Sequence, residues 1–145
     1  MSTPTKSKRK RDLLARSGAV VDWGGHIFIH GDRRAGEGCR TTLMSMDIRG
    51  EFTTPVKGIA AFRLRVTPEV NPSSGNAEIP AVGVWTSAKP ALDGGVYLPD
   101  REFDLVRTMA AAGKLASIYV SFQEPHYGTS LIASVSFSSD LPEAE

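Results

Sequence analysis

Two runs late in the chain alternate apolar and polar residues with a period of two. Ile118, Val120 and Phe122 stand against Ser117, Tyr119 and Ser121, and Leu131, Ala133, Val135 and Phe137 against Ser134, Ser136 and Ser138. A helix would scatter these apolar residues around its circumference, whereas a strand collects each set on one face. The connection at 123–129 holds Pro125 and Gly128, so the two strands are expected to form an antiparallel hairpin with one packed and one wet face.

The same signal recurs upstream. From Arg40 to Ile48, the residues Thr42, Met44, Met46 and Ile48 share one parity, with Ser45, Asp47 and Arg49 on the other. From Val56 to Val66, Phe62, Leu64 and Val66 oppose Lys57, Arg63 and Arg65. Ile79 to Trp85 is apolar on both parities, as a central strand would be, and Trp85 is expected to be buried. Between Ala19 and His30 the pair Gly24-Gly25 predicts a bend between two short strands, and Leu13 to Arg16 suggests one helical turn. Residues 31–38 and 67–78 are rich in Gly, Pro, Ser and charge and read as surface loops.

Only one stretch has helical period. Pro99-Asp100 supplies a breaker and an N-cap, Phe103, Val106, Met109 and Ala110 share a face, and Gly113 stops the run. No repeat of 20–50 residues interrupts the pattern. The expected fold is mainly β (α+β), an antiparallel β-sandwich or flattened barrel of six to eight strands with one inserted α-helix near residues 100–112.

A chain of 145 residues with 41% hydrophobic and 23% charged residues is sized and composed for one core. The expected organisation is a disordered basic tail at 1–16, a single β-rich domain at 17–139 and a short acidic tail at 140–145. Apolar runs are too short for a membrane-spanning helix, and the basic opening has no apolar signal core behind it. Together with a lone cysteine, Cys39, this predicts a location inside the cell, in the cytoplasm, with the nucleus as the alternative, and no disulfide.

Charge is unevenly placed. Residues 1–16 carry Lys6, Lys8, Arg9, Lys10, Arg11 and Arg16 against Asp12, a net of +5, so the remainder of a chain of net charge +1 is at −4. A run such as 6–11 is the pattern of a nucleic-acid arm or an import address, but also of a solubilising tail. A mildly acidic body argues against a phosphate-binding face, although Arg63 and Arg65, with Lys57 on the same parity, form one basic strip within it.

The candidates for chemistry fail on spacing. His26, His30 and Asp32 would suit a metal on a helix, but four residues of strand separate the histidines by about 13 Å, too far for one ion. His30 with Asp32 could form an oriented general base, yet no Gly-x-Ser-x-Gly nucleophile accompanies it. Cys39 beside Arg40 points the opposite way in a strand. Neither phosphate-cradling glycine motif occurs. His126 and Tyr127, in the hairpin connection, and Arg33 and Arg34, in the polar loop, are contact candidates.

No cofactor, metal or catalytic residue is therefore expected. The first expectation is a non-enzymatic interaction protein that engages another macromolecule, a protein before a nucleic acid, through loops or a sheet edge. A homo-oligomer formed through such an edge is compatible with it. The alternative is a nucleic-acid-associated protein whose arm is Lys6, Lys8, Arg9, Lys10 and Arg11, with Arg63 and Arg65 in support. A hydrolase built on His30 and Asp32 ranks below both.

Overall fold

The alternating runs become strands of one closed sheet. The computed structural model describes residues 12–31, 40–68 and 81–142. In chain order the elements are β1 (Leu13–Gly31), β2 (Arg40–Val56), β3 (Ile59–Pro68), β4 (Gly83–Ser87), β5 (Leu92–Leu98), α1 (Asp100–Ala111), β6 (Ser117–Gln123) and β7 (Ser130–Ser138). The seven strands form a barrel in the order β1-β2-β3-β5-β4-β7-β6, shut by pairing of β1 with β6 over Leu13 to Ala19. All neighbours are antiparallel except β3 and β5, which run parallel from Phe62↔Leu92 to Pro68↔Leu98. The barrel is thus mixed rather than antiparallel, because the chain crosses over after β3 and puts β4 on the far side of β5.

The interior is built largely from the residues that alternation selected. Ile48, Leu64, Val66, Val120 and Phe122 are buried as alternation selects, whereas Ile132 is buried in place of the expected Leu131 and Ala133 because the β6–β7 register shifts between Ser121 and Phe122. Phe52, Phe62, Trp85 and Phe122 form an aromatic cluster with ring centroids 4.8–6.5 Å apart. Tilted and edge-on contacts at this range suit the ring quadrupoles. The cluster fits because the strands beside it lack side chains. A Cβ on Gly18 would meet the Phe62 ring at 2.5 Å, and one on Gly50 would meet both that ring and the Ala19 carbonyl. Two buried donors, Trp85 Nε1 and Arg16 Nε, have no hydrogen-bond partner among the described residues.

Helix α1 lays Phe103, Val106 and Ala110 on the core. Asp100 is its first residue rather than its cap. Pro99 holds the cap position and makes no side-chain hydrogen bond, so Asp100 and Glu102 act only as charge at the positive end of the helix. The C-terminus closes as the glycine predicts: Gly113 (φ +70°) donates to Ala110 O and Lys114 to Met109 O, a Schellman arrangement.

Several boundaries differ from the sequence reading. Leu13 to Arg16 is strand, not a helical turn or tail, because its ladder to Phe122 and Val120 outweighs local propensity. Arg16 lies on the parity of Leu14 and Val20, which pack on the core. Gly24-Gly25 does not break β1, which runs unbroken for 19 residues. The run from Val56 is divided by a tight turn at Lys57 (φ 49°) and Gly58 (φ 82°), which returns β2 into β3. The strand expected from Ile79 begins at Gly83, with 79–80 outside the described residues. The β6–β7 hairpin pairs as expected from Ser117↔Ser138 to Phe122↔Ile132, and Ser121 and Ser134 share a hydrogen bond of 2.7 Å on its wet face.

Candidate functional site

β1 and β2 are longer than the barrel needs, and the excess forms an arm. β1 leaves β6 after Ala19, and β2 meets β3 only from Met46 onward. Among the described residues β1 pairs only with β2 from Trp23 onward, and from His26↔Ser45 out to Gly31↔Arg40 the two strands pair solely with each other. A bulge marks the base. Val20 faces Gly50 and Asp22 faces Arg49, neighbours in β2, so Val21 is the extra residue. Such an insertion bends and twists a strand and reverses which parity faces inward.

Asp22 and Arg49 clamp this base through an ion pair of 2.6 Å. The hydrogen bond and the charge of Asp22 raise the Arg49 pKa above its already high ordinary value.

The arm's surface is apolar on both faces. One face carries Trp23, Ile27 and Ile29 with Met44; the other carries Phe28 and Leu43, with His26 and His30. Among the described residues, seven of the thirteen exposed large hydrophobic side chains sit on it: Val21, Trp23, Ile27, Phe28, Ile29, Leu43 and Met44. Ile27 is 66% exposed and Ile29 59%. Consecutive apolar residues normally mark a strand covered on both sides, and here none of the described residues covers either side. From Trp23 to Gly31 the strand has no Lys, Arg, Asp, Glu or Pro, the residues that usually guard a free edge.

Two hollows adjoin this region. One of about 440 Å³ lies beside the free edge of β2, between Leu43, Met44 and Ser45 and the facing Thr67, Pro68 and Asp100. The other, of about 380 Å³, lies on the outer wall over Gly95, with Arg63, Arg65, Asp93 and Tyr97 around it.

The residues singled out from sequence are dispersed. Arg63 and Arg65 project from β3 beside Arg49, but Asp47 binds both, at 3.5 and 3.2 Å, which offsets the basic strip. Lys57 is not in that strip. It sits in the β2–β3 turn, donates to Pro125 O at 2.9 Å and lies 3.6 Å from Glu124. Tyr127 and Gly128 form a two-residue turn closed by His126–Thr129 backbone hydrogen bonds, with His126 flanking it; Tyr127 adopts φ 54° and is 95% exposed. That turn is at the end of the barrel opposite the arm, where Glu124 N donates to Asp12 O, so the root of the basic tail lies there too. Along β1, eleven residues, or roughly 36 Å, separate this root from Gly24, the residue level with Asp47 and Arg65.

His26 and His30 stand on the arm, His30 stacked on Phe28 at 6.1 Å. Lys6, Lys8, Arg9, Lys10, Arg11, Asp32, Arg33, Arg34 and Cys39 lie outside the described residues. No group of three metal-ligating side chains occurs among the described residues. No helix among them is long and apolar enough to cross a membrane. Comparison with protein-family models, curated proteins and solved structures finds no match to this chain.

Proposed function

We propose that the protein is a non-enzymatic interaction module which engages another polypeptide through the free edges and apolar faces of the β1–β2 arm. The observation that carries this reading is the concentration of exposed apolar side chains on a two-stranded element whose two edges are unpaired among the described residues. Isolated two-stranded ribbons are marginal in water, so an arm of this length gains from a partner that supplies a third strand. Main-chain hydrogen bonds along the edge would provide affinity, and alternate side chains such as Ile27 and Ile29 would provide selectivity.

A photocrosslinking residue at Phe28, introduced into the protein in cells, tests the reading against the same residue at Asp93 on the barrel wall. Polypeptide adducts are expected at position 28 and not at 93. Equal labelling at both positions, or none at 28, would refute it.

A further inference from the structure

We infer that the partner of the β1 edge is a second copy of this chain, paired antiparallel about a two-fold axis at Ile27. This rests on the arm being the interaction surface and specifies its occupant. A two-fold perpendicular to the sheet keeps like faces together, so residue pairs must share parity, and few registers qualify. Centred on Ile27, the pairing uses the free edge beyond the bulge and the Asp22–Arg49 clamp, from Trp23 to Gly31.

In that register every glycine of one copy meets a large side chain of the other. Gly25 faces Ile29, Gly24 faces His30, and Gly31 faces Trp23, while His26 faces Phe28 and Ile27 meets its own equivalent. Large residues thus fill the spaces the glycines leave, in cross-strand pairs of the kind that stabilise sheets. Shifting the centre to His26 sets His26 against His26, and shifting it to Phe28 sets His26 against His30. Both shifts set one imidazole directly against another, and the shift to Phe28 also shortens the ladder.

The charge pattern also selects self-pairing. An edge with no formally charged side chain offers nothing to a charged partner strand and matches another uncharged one. The β2 edge is less suited, since Pro68 and Asp100 stand across the hollow beside it. Nine paired residues give about eight main-chain hydrogen bonds, within the range of roughly 10 ± 5 for a specific interface. The antiparallel arrangement sets the two barrels at opposite ends of a four-stranded ribbon about 30 Å long, so the barrels do not compete for space.

The experiment is sedimentation equilibrium of the full chain, followed by mild oxidation of cysteine variants made with Cys39→Ser. The chain is expected to sediment as a dimer, and Ile27→Asp, which opposes two carboxylates at the axis, as a monomer with an unchanged circular dichroism melt. Ile27→Cys is expected to form a covalent dimer, because directly paired strand positions lie within the 4.4–6.8 Å Cα separation of a disulfide. Ile29→Cys alone should not crosslink, while Ile29→Cys mixed with Gly25→Cys should.

A monomeric chain, or crosslinking of Ile29→Cys with itself as readily as of Ile27→Cys, overturns the inference. The arm reading itself fails when the probe at Phe28 yields no adduct or labels no more than the probe at Asp93. A monomer with a hetero-adduct there removes the second copy but keeps the arm.

Discussion

Replacing Gly50 by Ala tests whether close strand approach around Phe62 holds the barrel together. The added methyl would lie 1.9 Å from the Ala19 carbonyl oxygen and 2.7 Å from Phe62 Cζ. Ordinary contact is about 3.5 Å, so β1 and β2 would have to part by about 1.5 Å, roughly a third of the ~4.8 Å spacing between paired strands. Overpacking commonly costs about 1–3 kcal/mol. The obstacle here is backbone, which cannot rotate away as a side-chain tip can, and the strain falls on the Val20↔Gly50 pair beside the bulge.

A loss near the upper figure, about 3 kcal/mol, is therefore expected, or a fall in Tm of about 6–12 °C for a chain of this size. Urea unfolding followed by tryptophan fluorescence, with calorimetry alongside, measures it. Gly25→Ala is the control, since a Cβ there meets nothing within 4 Å; it should shift stability by no more than about 0.5 kcal/mol. A Gly50→Ala loss below about 1 kcal/mol, or equal losses in the two variants, would refute the reasoning.

Removal of the chain through Gly18 deletes most of the closing ladder and should abolish the cooperative melt. Trp85→Phe discards an indole N–H that is buried without a partner, so relief of about 1–3 kcal/mol partly offsets the lost packing. Trp85→Ala should cost about 3–5 kcal/mol, and chemical denaturation distinguishes the two. Asp47→Asn frees Arg63 and Arg65 from their shared carboxylate. It should change stability by less than about 1 kcal/mol while raising retention on a phosphate-bearing column in a salt-sensitive way, and retention identical to the parent would show that the basic strip was never offset.

Elements with one wet face were legible in the sequence, as was the apolar run that becomes β4 around Trp85, whereas β5 was not. β3, β6 and β7 alternate, and the face of α1 around Phe103 and Val106 repeats at helical spacing, so each was read from periodicity alone. β5 escaped because Gly94 and Gly95 leave only Leu92, Val96 and Leu98 to show a pattern, and its parallel pairing with β3 depends on a crossover that no local signal encodes. Ile27, Phe28 and Ile29 look like a buried strand, since hydrophobicity on both parities does not distinguish a covered strand from an uncovered one. The signal that could have separated them is the position of Gly24-Gly25 together with the lack of charge. Arg63 and Arg65 were found, but Asp47 belongs to a different strand, and only the register brought it between them.

The seam that shuts the barrel joins Leu13 to Gln123 and Ala19 to Ser117, partners about 100 residues apart in the chain. High contact order of this kind slows folding, since the entropy of closing a long loop is lost before any contact rewards it. At about 5–20 residues per second of synthesis, β1 waits roughly 5–20 s for the strand that will cover its first half. Throughout that interval the edge of β1 that β2 does not cover is an open template along its entire length, and neighbouring nascent chains on one message carry the same strand. Encounter between copies can therefore begin before either barrel exists, and the rate of translation becomes a determinant of whether paired arms precede or follow closed barrels.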